Sequence, residues 1–95
     1  MYARLTTFIG SPDKYAEAVR MIQESAPRAH EQPGLVAAYW GLNREAGEGF
    51  TLILWEDEAS LKASEALAAT IREAATLSLG ANFTSVGAFE IVAQA

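Results

Sequence analysis

Residues 2–9, YARLTTFI, mix β-branched and aromatic side chains over the length of one strand. Gly10-Ser11-Pro12 then break the pattern. Serine at an N-cap with proline at the first helical position starts a helix well, and Asp13 adds a negative charge that suits the helix dipole. Tyr15, Ala18, Val19, Ile22 and Ala26 recur at helical spacing, with Lys14, Glu17, Arg20 and Glu24 on the other side. Pro27 kinks or ends this helix, and Gln32-Pro33-Gly34 closes the segment. Residues 35–43, LVAAYWGLN, and 50–56, FTLILWE, predict two strands joined by the turn sequence REAGEG, hence a hairpin. Asp57 caps a second helix beginning near Glu58. Its apolar positions Leu61, Leu67, Ile71 and Leu77 do not hold one phase, which predicts a break between Ser64 and Thr70. A second piece, TIREAATLSL, ends at Gly80, and residues 83–93 predict the last strand.

The order strand, helix, strand, strand, helix, strand is that of an α+β, ferredoxin-like βαββαβ fold. Right-handed crossovers put both helical segments on one face of a four-stranded antiparallel sheet. Alternation along the third strand places Phe50, Leu52 and Leu54 on one side and Thr51, Ile53 and Trp55 on the other. The fourth places Phe83, Phe89 and Ile91 on one side and Val86 and Val92 on the other. Both faces are largely apolar, and the helices cover only one. The other would be an exposed apolar patch, so a homodimer through the sheet is expected.

Composition narrows the class. Ninety-five residues make one domain, 1–95. The chain is 51% hydrophobic and 20% charged, which argues against disorder. No run reaches a membrane span, and the N-terminus carries too little charge before Asp13 for a signal peptide. The absence of cysteine excludes disulfides, thiolate metal sites and cysteine nucleophiles, and a cytoplasmic location is expected. A net charge of −5 with scattered bases argues against nucleic acid or an anionic membrane as partner.

Candidate chemistry is sparse. His30 is the only histidine and reads as a cation at a helix end. Glu56, Asp57 and Glu58 read as helix-start chemistry rather than a metal or acid–base cluster. Arg4 lies inside a strand among apolar neighbours; facing inward it needs an anionic partner or a ligand, but a rim position is the expectation. Trp40 and Trp55 sit on the two strands of the hairpin, with Tyr39 turned to the opposite face, and read first as packing. No phosphate-binding glycine loop and no GxSxG elbow is present.

Three stretches together, EQPGLVAAYWGLN, FTLILWEDEASLKAS and TIREAATLSLG leading into VGAFEIVA, resemble the antibiotic biosynthesis monooxygenase family of dimeric α/β-barrel proteins. The resemblance implies a ferredoxin-like subunit whose sheet packs on that of a second subunit. It also implies oxygenation of flat phenolic or quinol-like molecules without metal, flavin or haem, the substrate itself reducing oxygen. Trp55 matches the family's strand-three tryptophan and Arg72 the arginine of the second helix. Thr51 stands where polyketide-oxidising members have asparagine, and Leu61 where they have tyrosine. On that resemblance Trp55 and Leu61 bind substrate, Arg72 stabilises oxyanion charge and Thr51 orients a substrate oxygen. Tyr2, Tyr15 and Tyr39 are the tyrosines left to replace the missing one. The haem-degrading branch uses a histidine and a tryptophan on the second helix, and residues 58–79 contain neither. Oxygenase chemistry requires an enclosed pocket beside Trp55. The alternative function is a noncatalytic dimeric module that binds a small apolar ligand.

Overall fold

The structure is a computed structural model that describes residues 1–95. Strand β1 spans Tyr2–Ile9, β2 Leu35–Asn43, β3 Glu48–Trp55 and β4 Asn82–Glu90, in the sheet order β2-β3-β1-β4, all antiparallel. Helix α1 is Tyr15–Ser25, α2 Glu58–Ala63 and α3 Glu65–Leu79. This is the α+β ferredoxin-like arrangement, and no helix is long and apolar enough to cross a membrane.

Local chemistry explains where the elements begin and end. Ser11 precedes Pro12, but its hydroxyl bonds the Asp13 carboxylate instead of capping a backbone N–H. The entry to the helix is accordingly a 3-10 turn, Pro12–Lys14, ahead of α1. Pro27 lies in a second 3-10 segment, Ala26–Glu31, which carries the chain on to β2. Tyr15, Ala18, Val19, Ile22 and Ala26 are half-buried on the inner side of this segment, as the spacing predicts. The hairpin turn is shorter than REAGEG. Gly47, at φ +67, returns its N–H to the Asn43 carbonyl at 2.9 Å, so β3 already begins at Glu48. Asp57 caps α2, its carboxylate accepting the Ser60 N–H at 2.8 Å. The break falls at Ser64, the near edge of the predicted interval. Gly80 ends α3 in the left-handed conformation. Strand β4 stops at Glu90 rather than at residue 93: the Ile91 N–H bonds the Met1 carbonyl, and no further partner strand exists beyond it.

Strand register divides the sheet into two faces. Read across β2, β3, β1 and β4, one face presents Leu35, Trp55, Tyr2, Glu90; then Ala38, Ile53, Arg4, Ala88; then Trp40, Thr51, Thr6, Val86; then Leu42, Gly49, Phe8, Phe83. The opposite face presents Ala37, Leu54, Ala3, Phe89; then Tyr39, Leu52, Leu5, Gly87; then Gly41, Phe50, Thr7, Ser85. The helices cover the first face, because Arg4 bonds into the α2–α3 junction. One expectation fails here. Phe83 and Phe89 do not share a face, because an irregularity at Thr84 advances the register of β4 by one residue. Phe83 therefore joins Phe8 on the helix face, ring centroids 5.5 Å apart, while Phe89 points the other way.

Only 7 of 95 residues are buried, because one sheet face has no covering layer. On it Tyr39 is 55% and Phe89 54% exposed.

Replacing Asp57 by Asn keeps an N-cap but removes its charge. The folded carboxyl sits below its ordinary value because the Ser60 N–H bonds it, so the charged form adds stability above the unfolded value of 3.8. That contribution is lost as pH falls through the depressed folded value. Urea midpoints of the wild type should exceed those of Asp57→Asn at neutral pH and converge with them once the pH has fallen below the depressed folded value.

Candidate functional site

The helix face carries the candidate residues, and Arg4 organises them. The rim position expected for Arg4 is not what the fold adopts: the side chain points inward and is 3% exposed. One guanidinium nitrogen donates to the Ser64 hydroxyl at 2.9 Å. The other donates to the Leu61 carbonyl at 2.8 Å and pairs with the Glu65 carboxylate at 3.0 Å. Ser64 in turn donates its hydroxyl to the Leu61 carbonyl at 2.7 Å. A strand residue thereby adds a donor to one of the terminal carbonyls of α2, which also accepts the Ser64 N–H at 3.3 Å. Burial lowers the affinity of Arg4 for its proton and the adjacent Glu65 carboxylate opposes that, so the group stays charged.

Arg72 reaches the same carboxylate. Its guanidinium donates to the other Glu65 oxygen at 2.9 Å. Glu65 is held below its ordinary pKa, first by this hydrogen bond from Arg72 and also by the charge of Arg4. Two cations share one anion, so the cluster carries a surplus positive charge beside the sheet. Arg72 lies on the inner stripe of α3, with Ala68, Ala75 and Leu79. The small side chains on that stripe leave room for the long guanidinium.

Trp55 ends β3 one row from Arg4 and is 1% exposed. Its indole Nε1 is buried and meets no hydrogen-bond acceptor. A buried donor left unpaired is costly, and in a native fold it calls for a partner. Leu61 is buried as well, and Thr51 is half-buried two rows along, between Trp40 and Thr6. The structure thus puts Trp55 and Thr51 on one sheet face, with Leu61 and Arg72 on the helices that cover it. The enclosed pocket expected beside Trp55 is not one of the two main cavities, neither of which touches Trp55, Thr51, Leu61 or Arg72. An open cleft of about 550 Å³ lies instead at the hairpin end, lined by Phe8, Leu42, Gly49 and Phe50 among others. It is about 20 Å from Trp55, because Gly49 and Trp55 stand six positions apart along β3.

The uncovered part of the helix face is its edge strand. In β4, Val86 remains 45% exposed, and Ala88 and Glu90 are exposed too, although Arg4 and Thr6 beside them on β1 are buried. Leu67 and Ile71 of α3 are also exposed. One polar pairing at the end of this strip escaped the motif reading. The Tyr2 phenol donates to Glu90 at 3.0 Å, and Glu58 adds to the carboxylates around it, raising the Tyr2 pKa to about 12. Only strand register could have revealed this, since Tyr2 and Glu90 lie 88 residues apart. Glu58 pairs with Lys62 at 2.6 Å, and Glu56, Asp57 and Glu58 are all exposed.

No family model matches the sequence, and no curated protein matches it. Solved structures do match in shape. A candidate antibiotic biosynthesis monooxygenase from Deinococcus radiodurans superposes with a TM-score of 0.81 at 15% identity, over 100% of this chain and 96% of that one. The haem-degrader MhuD of Mycobacterium tuberculosis, with two haems bound, gives 0.75 at 16%, over 100% and 99%. SnoaB, a cofactor-independent oxygenase from Streptomyces nogalater, gives 0.65 at 18%, over 98% and 94%. The chain therefore has the fold of the antibiotic biosynthesis monooxygenases.

The two arginines should differ sharply in stability. Arg4→Ala removes a buried side chain together with its hydrogen bonds to Ser64 and the Leu61 carbonyl and should cost about 3 kcal/mol. Arg72→Ala removes a pair whose carboxylate faces solvent and should cost less than about 1 kcal/mol. Chemical denaturation of the two variants measures both.

Proposed function

We propose that this chain is a cofactor-independent oxygenase of a flat aromatic, quinol-like small molecule held on the helix face of the sheet. The observation that carries the reading is the Arg4–Glu65–Arg72 cluster, whose surplus positive charge lies one row from the unpaired indole N–H of Trp55. A phenol or quinol that gives electrons to oxygen passes through anionic oxygen species, and fixed donors in a poorly solvated site lower that barrier. Arg72 is the residue for this role, because its anchor Glu65 is exposed and an incoming oxyanion can share the guanidinium. Thr51 offers a hydroxyl to a substrate oxygen from the same face, and Trp55 and Leu61 form the apolar wall. Access is from the open β4 side, where Val86 and Ala88 are uncovered. The solved oxygenase SnoaB, similar in fold, supports the reaction class. Residues 58–79 contain no histidine, so haem degradation of the MhuD kind is not the reading taken.

A second reading has an observation of its own. Trp55 and Leu61 are packed, and Leu61 has no proton to exchange, which favours a noncatalytic module that binds a small apolar ligand. Oxygen uptake separates the two. A panel of anthrones and quinols should give enzyme-dependent oxygen consumption, falling roughly 100-fold in kcat for Arg72→Ala. Binding of the panel without oxygen consumption would favour the module.

Either reading includes a homodimer through the sheet. The uncovered face presents Leu5, Leu52, Leu54, Tyr39 and Phe89 as one apolar surface, which a second copy would remove from water. Sedimentation equilibrium should give about twice the 10.2 kDa chain mass. A mass near 10.2 kDa would rule the dimer out.

A further inference from the structure

On the oxygenase reading, the reaction needs a group that moves protons, and the grid of the helix face limits the choice. Thr6 and Thr51 carry only hydroxyls, which do not ionise near neutral pH. Arg4 and Arg72 do not give up a proton. Glu65 is clamped as a carboxylate between two guanidiniums. The remaining ionisable groups of the grid, Tyr2 and Glu90, lie in the end row, direct cross-strand neighbours on β1 and β4 with Trp55 of β3 beside Tyr2. Such neighbours stand about 5 Å apart at Cβ. The other tyrosines are placed elsewhere. Tyr39 faces the opposite side of the sheet. Tyr15 lies on α1 with the Arg44 guanidinium 5.2 Å above its ring.

We propose that Tyr2 is the catalytic acid of this oxygenase, with Glu90 as the carboxylate that collects the substrate proton and hands it on. The proposal rests on the oxygenase reading. For an anthrone the step balances as follows. The CH₂ carbon gives one proton to the Glu90 carboxylate and keeps the electron pair. That pair passes to dioxygen, one electron at a time, and a carbon–oxygen bond forms, leaving a peroxide anion. The Tyr2 phenol protonates its distal oxygen, and Glu90 returns the first proton to the phenolate along their 3.0 Å hydrogen bond. The second C–H proton then leaves as the C=O bond forms and the O–O bond breaks, and it combines with the departing hydroxide as water. The sum is CH₂ plus O₂ giving C=O plus H₂O. Oxygen is reduced, the carbon is oxidised, and the Tyr2–Glu90 pair ends as it began.

The surroundings suit an acid. Glu90 and Glu58 both hold the phenol in its protonated form, with Lys62 of α2 paired to Glu58. The exposed strip of Val86 and Ala88 leads directly to Glu90 along β4, so a substrate lying there has its reacting carbon at the carboxylate end.

Anthrone oxidation by the wild type, Tyr2→Phe and Glu90→Gln is followed with an oxygen electrode, and anthraquinone binding by quenching of tryptophan fluorescence. Loss of a general acid should lower kcat about 100-fold in Tyr2→Phe, with KM and anthraquinone affinity unchanged. Glu90→Gln should lower kcat in the same way while the fold and binding persist. Wild-type kcat in both variants overturns the relay and leaves the oxygenase reading standing. Raised KM with unchanged kcat makes Tyr2 a binding residue and also overturns it. No enzyme-dependent oxygen uptake by the wild type overturns the oxygenase reading, and the relay falls with it.

Discussion

A guanidinium inside an apolar sheet must find acceptors, and Arg4 finds all of its acceptors at one place. The Leu61 carbonyl, the Ser64 hydroxyl and the Glu65 carboxylate converge on it from the junction of α2 and α3. Desolvating the charge is expensive, and only good geometry with satisfied hydrogen bonds offsets it. The geometry in turn fixes where the helices lie. Covering β1 and β3 at Arg4 and Thr6, they leave Val86, Ala88 and Glu90 of the edge strand open. One buried guanidinium therefore sets the helix break, the position of Arg72 and the accessible side of the face.

The sheet carries two different tasks on its two sides. The uncovered face is aliphatic and aromatic, without charge in its central rows, and suits another apolar surface. The helix face grades from phenylalanines at the hairpin end to Trp55, Tyr2 and Glu90 at the other. On the uncovered side Gly41 makes room for the Phe50 ring, which lies flat against its backbone and would collide with any side chain there. The Thr84 irregularity sharpens the division of labour. It turns Phe83 toward Phe8 and so completes an aromatic pair under the helices at the end distant from Trp55.

Much of this was legible in the residues, and what was not depended on register. Asp57 announced its helix because a cap is a local device, read from neighbours in sequence. The alternation of Thr51, Ile53 and Trp55 held because β3 is regular over those positions. Arg4 gave no local sign of facing inward, since its acceptors lie about sixty residues on. Phe83 was assigned to the wrong face because one extra residue in β4 reverses a period-two pattern, and nothing in TSVGAF marks it. Tyr2 was one of three candidate tyrosines, and only the register singled it out by setting it beside Trp55 and Glu90. Of the site residues suggested by family resemblance, Trp55 and Thr51 fall on one face and Arg72 joins a cluster against it. Leu61 contributes its backbone carbonyl to Arg4 as well as its side chain to the packing.

The central claim is that a small aromatic ligand binds on the helix face and engages the row from Trp55 to Glu90. The most direct test is a titration of isotope-labelled protein with anthraquinone, followed by proton–nitrogen correlation NMR. The account predicts a concentration-dependent shift of the Trp55 Nε1–H resonance, which gains an acceptor, together with shifts of the Val86 and Ala88 amides. A Trp55 indole resonance that stays fixed while only Tyr39, Phe50 and Phe89 respond would place the ligand on the opposite face and contradict it.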